Sequence, residues 1–120
     1  YKLVRIRYLD NKPVALETSY IPKTYCPGLE QYDFSKSSLY DTLIHFYHLD
    51  LQRHKETISI SHLTKQEGIY LEAEENSPAY CIKGTTYDFE KIIEYCITLN
   101  CADRYVLTSK LYSYPVGSGK

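Results

Sequence analysis

The chain has 120 residues and no methionine, so no initiator is present, and its first residues already sit in a strand-like run. It is expected to be a piece of a longer protein. No stretch approaches the roughly 18 apolar residues that a spanning helix needs, and no charged-then-apolar signal segment opens the sequence. Neither sign of charge is in excess: the formal net charge is -1, so no global attraction to nucleic acid or to an anionic membrane is implied. Cysteine is sparse and there is no CxxC. Cys26, Cys81, Cys96 and Cys101 are too irregularly placed for a disulfide scaffold in a chain long enough to build its own core. They are expected to be buried free thiols in a reducing cytoplasm. No nucleophile elbow or catalytic-cysteine signature occurs.

Tyrosine, by contrast, is abundant, with 14 residues. It suits strands, and it offers a ligand both a ring face and a hydroxyl. Lys2–Leu9 alternates, with Val4, Ile6 and Tyr8 opposed to Leu3, Arg5, Arg7 and Leu9. Pro13–Tyr20 alternates again, and Asp10-Asn11-Lys12 between them is turn chemistry. A three-residue loop pairs Tyr8 with Val14 and Ile6 with Leu16, so that the apolar sets share one face. The same register sets Arg5 opposite Glu17 and Arg7 opposite Ala15.

Cys26-Pro27-Gly28-Leu29 reads as a turn, and Ser37 or Ser38 caps a helix expected to run to about Leu49. Glu56–Leu63 is predicted as a strand and Lys65–Glu72 as a short helix. Three strands, about Ala79–Tyr87, Ile92–Leu99 and Arg104–Tyr112, close the chain. The order predicts a single α+β domain: one antiparallel sheet of about six strands with flanking helices. Gly117-Ser118-Gly119-Lys120 reads as a tail.

Arg5 and Arg7 leave their strand on one face, about 7 Å apart. Two guanidinium forks at that spacing suit a phosphate or carboxylate. The plainer alternative is an Arg5–Glu17 pair across the hairpin with no other role. Ser38 and Tyr40 stand at the start of the first helix, where free N–H groups and hydroxyls favour an anion, although an ordinary serine cap explains Ser38 equally well. Glu94 shares a strand face with Cys96 and Thr98, where it either accepts hydrogen bonds from a ligand or is simply solvated. His45 and His48 are three apart on a helix, but no third ligand is evident, so no metal is expected.

RIRYLDNKPVALETSYIP, CPGL, SLYDTL and IEYCITLNCADRY occur in this order from Arg5 to Tyr105. Together these runs resemble the UTRA domain, the effector-binding domain of GntR-superfamily regulators of the HutC branch. The resemblance implies a chorismate lyase-like fold and no resident cofactor. It also implies a homodimer and contact with operator DNA only through a winged helix-turn-helix that precedes this domain. The implied effector is a small anion, a sugar phosphate or a carboxylate. By that resemblance Arg5, Arg7, Glu17, Ser38, Tyr40, Arg53 and Glu94 are the effector-binding positions. Asn100 and Cys101 depart from the tyrosine and arginine common there, which puts an aromatic wall for the ligand in question. Asp103 and Arg104 are read as structural, closing the last hairpin by a local charge pair. A lyase-like enzyme acting on a small carboxylate and a dimerisation module with a vestigial pocket are the alternatives to a sensor.

Overall fold

The computed structural model describes residues 1–108. Five strands form one antiparallel sheet: β1 (Lys2–Leu9), β2 (Lys12–Tyr20), β3 (Arg53–His62), β4 (Pro78–Asp88) and β5 (Lys91–Cys101), in the order β1-β2-β5-β4-β3. Two helices accompany it, α1 (Leu39–His45) and α2 (Lys65–Leu71). The sixth strand expected over Arg104–Tyr112 is not formed by Arg104–Thr108, and the rest of it, like the expected tail, lies outside the described residues.

The first hairpin has the expected pairs Arg5–Glu17, Ile6–Leu16 and Arg7–Ala15, but not through a three-residue loop. Tyr8 faces Pro13 instead of Val14. Asp10 and Asn11 alone make the turn, both at positive φ (50° and 66°), as a two-residue hairpin turn requires. Val14 is then the extra residue of a bulge, which restores the register on which the apolar pattern depends. A second bulge lies between β4 and β5, where Thr86 faces Glu94 and Tyr87 faces Ile92, leaving Ile93 unpaired.

The sheet carries one apolar layer on each face. On one face Leu16, Cys81 and Leu99 pack with Leu63 and Leu71, which flank and end α2. On the other, Ile21, Ile93, Cys26 and Leu29 pack with Leu39 and Leu43 of α1. Ile93 joins the second layer because the bulge re-aims it. Short 3-10 turns at Lys23–Tyr25 and Leu29–Gln31 bring Cys26 and Leu29 to this layer, with Gly28 between them at φ 79°.

Ser38 is the N-cap of α1: its Oγ accepts a hydrogen bond from the Asp41 N–H at 3.2 Å. The helix stops at His45 and does not reach Leu49. Beyond it His48 adopts a left-handed conformation (φ 56°), and Leu49 folds back to donate its N–H to the Leu43 carbonyl at 3.0 Å. That fold-back buries Leu49 in the layer and leaves Phe46 exposed. Thr64 and Glu67 form a reciprocal capping box at the start of α2. Arg104 closes the other end of that helix, donating to the carbonyls of Leu71 and Glu72 and, at 2.9 Å, to that of Pro13. Asp103 lies 3.8 Å from it, but the hairpin that this charge pair was expected to close is not formed by the described residues, and Arg104 is engaged at the end of α2 instead.

Candidate functional site

α1 covers only one end of its sheet face. Beside it the face opens into a cleft of about 470 Å³, and Arg5, Arg7, Glu17, Ser38, Tyr40 and Glu94 all line it. Strand alternation explains most of this. Arg5 and Arg7 on β1, Glu17 on β2, and Glu94, Cys96 and Thr98 on β5 stand on the face opposite the Leu16–Leu99 layer.

At one end Glu17 bridges both arginines. Its Oε2 accepts from Arg5 Nη2 at 3.1 Å, and its Oε1 accepts from Arg7 Nε at 3.0 Å. Arg5 is the better enclosed, with 16% of its side chain exposed against 50% for Arg7. The Nε of Arg5 is buried and has no hydrogen-bond partner among the described residues. The hairpin pair and the arginine pair considered from sequence are thus one three-member group with a surplus of positive charge.

At the other end Tyr40 reaches down from α1 and donates to Glu94 Oε1 at 2.5 Å. Glu94 is only 2% exposed. Burial, and then the Glu94 carboxylate, push the Tyr40 phenol well above its ordinary range, which fixes it as a donor. Thr86 lies between Tyr40 (3.5 Å) and His54 Nδ1 (2.8 Å), and His54 Nε2 stands 3.4 Å from Glu56 Oε1. A polar row therefore crosses from α1 over β5 and β4 to the edge strand β3.

Arg53 stands apart from the other six. Its guanidinium lies over the Tyr87 ring, 4.1 Å from the centroid, and borders a neighbouring hollow shared with Tyr40, Gln52 and Thr86. Asn100 and Cys101 do not line the cleft; they are buried within β5. Phe34 and Tyr40 give the cleft its aromatic surface. His45 ends α1 and His48 lies beyond it in a left-handed turn, so they do not share a helical face. Among the described residues no group of three His, Cys, Asp or Glu side chains converges, and no helix is long and apolar enough to cross a membrane.

Sequence reasoning missed His54, Glu56 and Gly84, all of which line the cleft. Alternation along β3 puts His54 and Glu56 on one face, and a glycine inside a strand often marks a close approach. Here a Cβ on Gly84 would lie 2.8 Å from His54 Cε1, so the bare backbone is what lets the imidazole lie across β4.

Comparison with known proteins places this chain in a family. The UTRA domain matches residues 1–106. The HTH-type transcriptional repressor NagR of Bacillus subtilis (strain 168) is 31% identical over 87 residues, covering 72% of this chain and 35% of the relative. The probable fructoselysine utilization operon transcriptional repressor of Escherichia coli (strain K12) is 27% identical over 109 residues, covering 90% of this chain and 45% of the relative. The chain therefore spans less than half the length of the curated relatives it matches. Among solved structures, the effector domain of PhnF from Mycobacterium smegmatis superimposes with a TM-score of 0.86 at 26% identity, covering 93% of this chain and 69% of that one.

Proposed function

The chain belongs to the UTRA domain family, and from that premise we propose that it senses a small anionic metabolite in the cleft beside α1, most simply a sugar phosphate. What supports this reading is one observation: six of the positions expected to bind effector, on three strands and a helix, line a single cleft. Arg5 and Arg7 hold the anion through the guanidinium nitrogens that Glu17 leaves free. Glu17 keeps the two guanidiniums in register. Ser38 still has its hydroxyl proton to donate, its lone pair being engaged by Asp41. Tyr40 and Glu94 meet the hydroxylated part of the ligand. Arg53 serves in the adjacent hollow, if the ligand is long enough to pass Tyr40.

In the full-length protein an attached winged helix-turn-helix reads operator DNA in the cytoplasm, and this domain pairs two copies into a homodimer. Effector binding favours one arrangement of the dimer and so alters operator affinity. The relatives named above are repressors, which supports a sensor over a lyase-like enzyme. Titration calorimetry with sugar phosphates and small carboxylates tests the reading. Binding of one class is expected, abolished by Arg5→Ala or Arg7→Ala with the fold retained. Unchanged affinity in both variants removes the anion clamp, and silence from every compound leaves a module with a vestigial pocket.

A further inference from the structure

The sheet carries a second surface on the face away from the cleft. Its registers are continuous, so side chains on that face line up in rows across all five strands. One row reads Lys2, Tyr20, Tyr95, Thr85 and Lys55, from one edge strand to the other. The row beside it reads Val4, Thr18, Ile97, Lys83 and Thr57. In the row after that, Ile6, Leu16, Leu99 and Cys81, the apolar layer beneath α2 begins. No side chain of the first two rows is buried, so among the described residues that end of the face stands bare.

The bare end is one-sided in charge. Its two rows hold three lysines and no carboxylate, whereas Glu17, Glu56 and Glu94 all stand on the cleft face. None of the three lysines has an ion-pair partner among the described residues. Tyr20 and Tyr95 lie side by side within their row, with ring centroids 6.3 Å apart and planes inclined by 29°. Four strand spacings of about 4.8 Å set Lys2 and Lys55 about 19 Å apart at the two ends of that row. Ring faces between ammonium groups, with threonine hydroxyls beside them, match unstacked bases on a phosphate backbone.

We propose that this face is a docking platform for single-stranded RNA. Bases lie on the Tyr20 and Tyr95 rings, Lys2, Lys55 and Lys83 meet phosphates, and Thr18 and Thr85 meet 2′-hydroxyls. Duplex DNA would engage the lysines, but it offers only base edges in its grooves and leaves both ring faces idle. A second copy of this chain would use the tyrosines but not the lysines, which are depleted at protein interfaces. With a net charge of -1 over the whole chain, the attraction is local and readily screened by salt. Nothing in it depends on what the cleft binds.

The test is fluorescence anisotropy of a labelled oligouridylate of about ten residues, titrated with the chain at low salt. Three phosphate contacts on a single strand predict that log affinity falls with log salt at a slope of about -2. Lys55→Gln and Lys83→Gln, both on exposed side chains, should each flatten that slope by about 0.7. Tyr20→Ala should weaken binding about fivefold or more. The matched oligodeoxyuridylate should bind less tightly, and equal affinity overturns the assignment to RNA. Duplex DNA bound as tightly as the oligouridylate overturns the platform. So does binding that is lost in Arg5→Ala but kept in Lys55→Gln and Tyr20→Ala, which would seat the strand in the cleft. If no oligonucleotide binds while Tyr20→Ala alters sedimentation, the face is an interface between copies and the proposal falls. Failure to bind with sedimentation unchanged overturns it as well.

Discussion

Tyr40 on α1 and Glu94 on β5 are joined by a 2.5 Å hydrogen bond at one end of the cleft. This contact ties α1 to the sheet beneath it, and it fixes the proton on the phenol. Tyr40→Phe leaves Glu94 Oε1 buried without its donor, which should cost about 1–3 kcal/mol in urea unfolding. The pH dependence follows from the sign of the shift. The phenol pKa is raised in the folded state, so its stabilising effect is complete below the unfolded value of roughly pH 10 and fades as pH climbs through the folded value. Alkaline absorbance titration should find a late-ionising tyrosine that Tyr40→Phe lacks. Identical titration curves would show that the contact does not form in solution.

Glu17 is shared between a well-enclosed arginine and an exposed one, and the two partners should respond differently. Arg7→Ala removes a half-exposed ion pair worth about 0–1 kcal/mol and should barely move the unfolding midpoint. Glu17→Gln leaves Arg5 without its carboxylate and should lower stability by about 1–3 kcal/mol. The same substitution removes the negative charge that competes with an incoming anion, so inorganic phosphate should bind Glu17→Gln more tightly than wild type. Weaker phosphate binding would mean that Glu17 holds the ligand more than it occupies the arginines.

The first hairpin was legible because two alternating runs and a turn left few registers to choose from. Arg5–Glu17 and Arg7–Ala15 follow from that pattern, although the bulge at Val14 does not. Tyr40 and Glu94 could each be placed on an element, but their contact depends on how α1 lies over β5, which no local pattern encodes. The length of α1 was overread because Phe46 and Tyr47 continue the apolar spacing. Burial of Leu49 through the turn at His48 outweighs that continuation. His54 was invisible for a related reason. Its place in the cleft is set by the β3–β4 register, established only after the chain has passed through α2 and returned. The expected sixth strand lacked such a check, since nothing in Arg104–Thr108 shows that Arg104 is occupied in capping α2.

Gly84 offers a test of the His54 arm that leaves the charges untouched. An added methyl would stand 2.8 Å and 2.9 Å from the imidazole Cε1 and Nε2, and the ring, being at the end of a flexible side chain, can swing outward. Gly84→Ala should therefore keep its fold and change stability little, since alanine costs less backbone entropy in a strand than glycine. The hydrogen bond between His54 Nδ1 and Thr86 Oγ1 should be lost, seen as displaced imidazole resonances in NMR spectra. Unmoved imidazole signals would mean that the ring does not lie across β4.

One of the four cysteines, Cys96, lines the cleft and can report on it. Cys26 and Cys101 are enclosed, and burial pushes both thiols above their usual range, so neither should react quickly with a disulfide reagent. Cys81 is buried as well. Cys96 alone is partly exposed, and it lines the cleft between Glu94 and Thr98, with its sulfur 3.7 Å from Ser19 Oγ. One thiol should therefore be modified ahead of the other three, and Cys96→Ser should remove that fast phase. A metabolite seated on Arg5, Arg7 and Glu94 would cover the sulfur, so a saturating effector should slow the fast phase in proportion to occupancy. A fast phase indifferent to a compound that binds calorimetrically would place that compound elsewhere on the domain.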